Sequence, residues 1–200
     1  MKTLENKNKP KLTTRNITSI AVMAALSIVL VYLIRIPMFL PFLEYDPADI
    51  PIFITTFAFG PGIGFMLTVV VSVLQGVTVS ASSGMIGIAM HILATGSFVL
   101  VAGNIYKRNK TRKNAVAALV AGVGAWTAMM VLWNIIMTPL FMGVPREQVL
   151  LLIVPAILPF NLIKAGINAT VTFALYKSVG RLFRMPGAQA AGKKQCIHGE

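Results

Sequence analysis

Charge is scarce in this chain exactly where a soluble protein would carry it. No Lys, Arg, Asp or Glu occurs from Ile17 to Ile34, from Ile50 to Tyr106, or from Asn114 to Pro145, and the run from Gln148 to Tyr176 holds only Lys164. Charged residues make up 12% of the 200, hydrophobic residues 56%, and mean hydropathy is +0.77. A soluble domain carries about 25% charge, so composition excludes that class and indicates a single membrane domain, which its uncharged runs of helical length make all-α. The only cysteine, Cys196, forbids an internal disulfide. Histidine is limited to His91 and His198, and no HExxH, aspartate-rich metal motif or GxxxxGK[ST] loop occurs, which argues against a metal- or nucleotide-dependent membrane enzyme.

Basic residues are present in excess, eighteen against six acids, a formal net charge of +12. Their positions rule out a nucleic-acid surface. Five precede the first apolar run (Lys2, Lys7, Lys9, Lys11, Arg15), five follow Tyr106 (Lys107, Arg108, Lys110, Arg112, Lys113), and five close the chain (Lys177, Arg181, Arg184, Lys193, Lys194). They flank membrane spans and are expected on the cytoplasmic side. Four of the six acids, Glu44, Asp46, Asp49 and Glu147, lie in the other connections with Arg35 and Arg146.

Ile17 to Ile34 is close to the roughly 20 residues that cross a bilayer core. It is too long for a cleaved signal core and lacks a small-residue cleavage site, so it reads as a retained first span. Within it Ala21 and Ala25 place two small side chains on one face, which suits close helix approach, though alanine is also common in any apolar helix. Arg35 to Pro51 holds four prolines, three acids and three aromatics, and reads as an ordered, non-helical outer loop. Either Asp46 caps a helix with Pro47 at its first position, or Asp49 caps one beginning at Ile50. Capping and ligand contact weigh evenly for both carboxylates.

The 57 uncharged residues from Ile50 to Tyr106 fit two long spans or three ordinary ones. Basic clusters before and after must share a side, which selects three, broken at Gly60-Pro-Gly-Ile-Gly64 inside and Ser80-Ala-Ser-Ser-Gly84 outside. The second span, Ile50 to Phe59, is short and needs its loops or neighbours to complete the crossing. Asn114 to Pro145 and Gln148 to Tyr176 complete six helices with both termini cytoplasmic. The expected organisation is a basic arm over 1–16, a membrane domain over 17–184 and a disordered tail over 185–200.

Polar residues within the spans point to a site. Lys164 lies in an apolar segment where an ionised group costs at least roughly 2.5 kcal/mol. Asn161, Lys164 and Asn168, at i, i+3 and i+7, share one helix face. The alternative is that Lys164 reaches a headgroup, or that the stripe only bonds neighbouring helices. Counting helical rise from the inner ends puts Lys164 about 20 Å and Asn134 about 27 Å in, toward the outer half. Gln75 and His91 fall there too, although an interhelical hydrogen bond explains either alone. Asn134, Asn161 and Lys164 together could match a planar edge of alternating carbonyls and ring N–H, as in a flavin or pterin. Trp133, Phe42, Tyr45 and Phe160 are candidates to cover its faces, or to act as packing. Pro155 and Pro159 should kink the sixth helix beside Asn161.

Several segments carry a resemblance: Leu43-Glu-Tyr-Asp-Pro-Ala-Asp-Ile-Pro51 leading to Phe59-Gly-Pro-Gly-Ile-Gly64, Val79-Ser-Ala-Ser-Ser-Gly-Met-Ile-Gly87, His91-Ile-Leu-Ala-Thr-Gly96, Trp133-Asn134 and Pro159-Phe-Asn-Leu-Ile-Lys164. Over Thr14 to about Arg184 the chain resembles the substrate-binding S components of energy-coupling factor vitamin transporters, most closely the riboflavin-specific branch. The resemblance implies a multi-pass protein of a prokaryotic cell membrane with no catalytic activity or cofactor of its own. It would bind riboflavin on its outer side and dock on a membrane coupling subunit, the T component, served by two cytoplasmic ATPases. Ala21 and Ala25 match the family's docking motif, and Asn134, Asn161 and Lys164 match its ring-edge contacts. Glu44 and Gln75 are additional candidate substrate contacts. An S component for thiamine, folate or biotin is the alternative within the family; a lipid-modifying membrane enzyme and a free-standing secondary transporter are the alternatives outside it.

Overall fold

The computed structural model describes residues 13–81 and 84–184; the expectations for the basic arm through Lys11 and for the tail from 185 lie outside the described residues. Six helical rods result. They are α1 (Thr14–Leu33), α2 (Asp49–Phe59), α3 (Pro61–Val77), α4 (Gly84–Arg108), α5 (Arg112–Met142), and a sixth rod that starts as α6 (Arg146–Leu152), passes one π-helical turn (Ile153–Ile157) and continues as α7 (Leu158–Arg184). Four stretches, Thr14–Leu33, Gly84–Arg108, Arg112–Leu140 and Arg146–Val179, are long and apolar enough to cross a membrane. The all-α, six-helix expectation holds, and α1 begins three residues before Ile17.

The local causes of these boundaries are visible. Gly60 adopts φ 99, open to glycine without strain, and Pro61 starts α3 where its missing N–H costs nothing. Of the predicted Gly60–Gly64 break, the single residue Gly60 suffices. Thr111 caps α5 by accepting from the Asn114 backbone N–H, and Gly143 ends it in the left-handed conformation. Pro155 falls inside the π-helical turn, so the kink expected in the sixth rod takes the form of an inserted residue.

The first connection differs from expectation. Instead of irregular loop it forms an antiparallel hairpin, β1 (Ile36–Met38) with β2 (Leu40–Tyr45), irregular between Pro37 and Met38 and turning at Phe39 with φ 63. Its apolar side, through Leu43, packs against Val149, Ala156, Ile157 and Phe160 of the sixth rod. Proline blocks a helix here but leaves paired extended backbone open at an edge.

The short second helix also has a physical explanation. Every residue from Asp49 to Phe57 is buried, and α2 touches α1, α3, α4 and α7, so it is the central post of the bundle with no lipid-facing side. Asp49, at its start, bonds to Thr95, which lies eleven residues into α4, or roughly 16 Å along it. The chain after the hairpin therefore descends into the bundle before α2 begins, and that descent supplies the rest of the crossing. Phe53 stacks on Phe98 with ring centres 3.6 Å apart, and Trp126 meets Phe53 edge-on. Nearer the other end Phe57, Tyr106 and Tyr176 pack together. The basic Lys107–Lys113 turn lies at that aromatic end, with the start of α1 and the end of α7, opposite the hairpin.

Two glycines let α3 and α4 close on α2. A Cβ on Gly64 would stand 2.1 Å from Thr56 Oγ1 and 3.0 Å from Val99 Cγ1, and one on Gly103 would stand 2.7 Å from Pro61 and 2.8 Å from Thr56. Gly64→Ala should therefore destabilise the detergent-solubilised protein by about 1–3 kcal/mol in thermal unfolding. Gly124→Ala, whose Cβ meets nothing within 4 Å, should leave the melting temperature unchanged or slightly raised.

Candidate binding site

Between the hairpin and the bundle lies a cavity of about 210 Å³. Arg35, Leu43 and Glu44 form its roof, Asp46 lies at its floor, Ser72 and Gln75 of α3 and His91 of α4 form one wall, and Trp126, Met130, Asn134 and Thr138 of α5 another, with Phe160, Asn161 and Lys164 of α7 closing it. All five residues expected to contact substrate, Glu44, Gln75, Asn134, Asn161 and Lys164, line this one cavity. Asn168, the third member of the predicted stripe, is fully buried beneath it and does not line it.

Lys164 does not reach a headgroup. Its ammonium donates to Asp46 Oδ2 at 2.7 Å and to the Glu44 carbonyl at 3.3 Å, and its side chain is only 11% exposed. One of its three N–H groups remains for a ligand. Asp46 does not cap a helix that begins at Pro47, since α2 starts at Asp49 after Ala48. Asp46 Oδ1 accepts from the Ala48 N–H at 3.2 Å, a turn that leads into α2, while Oδ2 holds the lysine. Asp49 is not a cap: α2 starts at Asp49 itself, whose buried carboxylate accepts from Thr95 Oγ1 at 2.9 Å and Asn168 Nδ2 at 3.4 Å and lies 3.2 Å from His91 Nε2. Thus the loop carboxylates form the floor and hold the polar stripe of α7.

The two carboxamides are oriented by their own helices. Asn134 donates to the Met130 carbonyl at 2.7 Å and accepts from Thr138 Oγ1 at 2.8 Å. Asn161 donates to the Ile157 carbonyl at 2.8 Å, beside the π-helical turn, and accepts from Trp126 Nε1 at 3.4 Å. Each amide retains one N–H and one carbonyl lone pair for a ligand. Gln75 is buried, and its Nε2 has no partner among the described residues; an orphaned buried donor on a cavity wall fits a ligand acceptor. Glu44 is half-exposed at the rim and bonded to Arg35, whose Nη1 donates to the Val79 carbonyl at 2.7 Å, tying the hairpin to the end of α3. Burial, with Asp46 beside it, raises the Tyr45 phenol above its ordinary pKa, so it stays neutral and donates to Asn168 Oδ1 at 3.2 Å.

The aromatic expectation needs correction. Trp133 does not line the cavity and Trp126 does. Positions 126, 130, 134 and 138 follow one i+4 stripe, which turns Trp133 off the face that Asn134 occupies. Phe160 lines the cavity as expected; Tyr45 packs behind it, and the Phe42 side chain lies outside the described residues. Reading the i+4 series from Asn134 backward would have found Trp126. Ser72 Oγ, His91 and Asp49 form a chain in which Ser72 Oγ is 2.6 Å from His91 Nδ1, but that hydroxyl also donates to the Thr68 carbonyl at 2.6 Å and Ser72 is buried. The chain braces α3, α4 and α2.

A family model described as "ECF transporter, substrate-specific component" matches residues 15–176. The chain is 26% identical over 177 residues to the riboflavin transporter RibU of Staphylococcus aureus, covering 85% of this chain and 93% of that protein. It is 31% identical to the riboflavin transporter RibU of Streptococcus thermophilus, covering 81% of each, and 28% identical to the riboflavin transporter FmnP of Bacillus subtilis, covering 67% of this chain and 74% of the relative. A solved structure of the S component of a bacterial ECF transporter superposes with a TM-score of 0.70 at 28% identity, covering 84% of this chain and 96% of that one. The relatives are named as transporters and not as enzymes.

The buried ion pair makes a prediction that needs no ligand. Lys164→Met strands Asp46 in the bundle and should destabilise the ligand-free protein by about 2–4 kcal/mol, whereas Lys164→Met with Asp46→Asn should recover at least half of that loss in thermal unfolding. Equal loss in the single and double variants would show that the pair contributes no coupling.

Proposed function

The chain belongs to the substrate-specific components of ECF transporters, and from that premise we propose that its ligand is riboflavin, captured in the cavity beneath the hairpin. The observation that carries this reading is the convergence of Asn134, Asn161 and Lys164 on one cavity, each with hydrogen-bonding capacity left over. The pyrimidine side of a flavin alternates carbonyls with a ring N–H, and two carboxamides with an ammonium complement that edge. Trp126 and Phe160 offer apolar ring surface alongside. The orphaned Gln75 donor and the rim carboxylate of Glu44 would meet the hydroxylated side chain. The names of the relatives support the same ligand.

The cavity opens at the hairpin end, opposite the basic Lys107–Lys113 turn. With the basic end cytoplasmic, both termini are inside and capture occurs from outside, as suits an importer in a prokaryotic cell membrane. Delivery then falls to a T component and two ATPases on separate chains. Ala21 and Ala25 lie on the exposed side of α1, where their small side chains leave a helix-sized approach open to the coupling subunit.

Two measurements test this. Titration of the purified protein with riboflavin, followed by quenching of flavin fluorescence, should saturate at one site; Asn161→Ala and Lys164→Ala should each lower affinity at least ten-fold. Full affinity in both variants would overturn the site assignment, and displacement of riboflavin by thiamine, folate or biotin would reassign the ligand. Separately, Ala21→Leu with Ala25→Leu should abolish ATP-driven uptake with the coupling module while leaving riboflavin affinity within two-fold of the parent. Unchanged uptake would remove α1 from the docking face.

A further inference from the structure

The turn between α4 and α5 concentrates Lys107, Arg108, Lys110, Arg112 and Lys113 within seven residues. All five are exposed, and none has an ion-pair partner among the described residues. Of the described acids, Glu44, Asp46 and Glu147 stand toward the opposite end of the bundle, and Asp49 is buried within it. The cations are not on a loose tether. Asn114 Nδ2 donates to the carbonyls of Ile105 at 2.7 Å and Asn109 at 2.6 Å, and Thr111 caps α5, so the turn is pinned to both helices.

Helix electrostatics explain only part of this cluster. Lys107 and Arg108 close α4, where a helix dipole favours cations. Arg112 and Lys113 open α5, whose first turn contains no acid, so there the dipole and the side chains repel each other. An external anion relieves that conflict. Its source follows from what borders the turn. Leu100 and Val101 on α4, and Val116 and Val120 on α5, are large exposed apolar residues two turns or less from the cations. They form the edge of the lipid-facing band, and a cation six residues beyond Val101 sits about 9 Å further along the helix, at headgroup depth.

We propose that the α4–α5 turn is a binding site for anionic phospholipid headgroups, gripping lipid phosphates and anchoring the end of the bundle opposite the cavity. The site is independent of which ligand the cavity takes. Basic residues immediately beyond a membrane helix attract anionic lipid individually, and five on one pinned turn act together.

The test uses the full chain in neutral detergent with added dioleoylphosphatidylglycerol or dioleoylphosphatidylcholine, reading melting temperature and, by native mass spectrometry, bound lipid. Phosphatidylglycerol should raise the melting temperature by several degrees more than phosphatidylcholine, and 0.5 M salt should erase most of the difference. Lys110→Gln/Arg112→Gln/Lys113→Gln should lower the apparent affinity for phosphatidylglycerol at least ten-fold, while Arg112→Lys/Lys113→Arg should retain it; circular dichroism and gel filtration confirm that each variant is folded. Equal stabilisation by the two lipids, or an undiminished preference in the triple Gln variant, would overturn the proposal. Reproduction of the effect by millimolar inorganic phosphate would reduce it to a simple anion site. Loss of complex formation with the coupling subunits at unchanged lipid affinity would make the turn a protein interface instead.

Discussion

The bond from Lys164 to Asp46 organises this molecule. A lysine at bilayer depth is costly unless an anion meets it there, and here the anion is delivered by the first connection, 118 positions away in sequence. To deliver it, the chain past the hairpin must descend among the helices. That descent shortens α2, places α2 at the centre of the bundle, and leaves the space between hairpin and helices that becomes the cavity. Asp49, one turn further in, extends the arrangement by collecting Thr95 of α4, Asn168 of α7 and His91. Removing the lysine would strand the Asp46 carboxylate among the helices, while Asp49 still ties the connection to α4 and α7.

The rest of the packing makes the cavity one-sided. Below the carboxylate floor the bundle is closed by Phe53, Phe98 and Trp126, then by Phe57, Tyr106 and Tyr176. Gly64 and Gly103 allow the close approach of α3 and α4 to α2 that such a seal requires. A carrier subunit that exposed its ligand site at both ends would be a leak. Here the polar groups gather at the hairpin end and packed aromatic rings fill the other, so opening the sealed end requires work from elsewhere.

Much of this was legible in the sequence because lipid imposes simple rules. Uncharged runs of helical length, with basic clusters at alternate ends, were enough for six helices, and the i, i+3, i+7 spacing of Asn161, Lys164 and Asn168 put three improbable residues on one face. What stayed hidden were pairings over long separations. Asp46 and Asp49 sit where capping is an adequate local explanation, and nothing nearby reveals that Lys164 or Thr95 will be their partner. The hairpin was hidden because proline speaks against helix without saying what replaces it. Trp133 attracted notice through its neighbour Asn134, although adjacent helical residues point about 100° apart; the correct tryptophan, Trp126, was two turns away on the same stripe.

The charges that line the cavity are matched within the protein: Lys164 with Asp46 and Arg35 with Glu44. A ligand entering it meets little net field and gains little from charge of its own. On the proposed reading, discrimination rests on directional groups, the spare N–H and carbonyl positions of Asn134 and Asn161, the third ammonium N–H and the orphaned Gln75 amide. A site that hydrogen-bonds its ligand in a desolvated space rejects a near-analogue more sharply than an apolar pocket does, because each unmet donor or acceptor stays buried and unpaired. On the proposed reading the ion pairs hold the lining in place and recognition falls to the amides and the one spare ammonium N–H, an arrangement suited to an uncharged, flat, hydrogen-bonding solute.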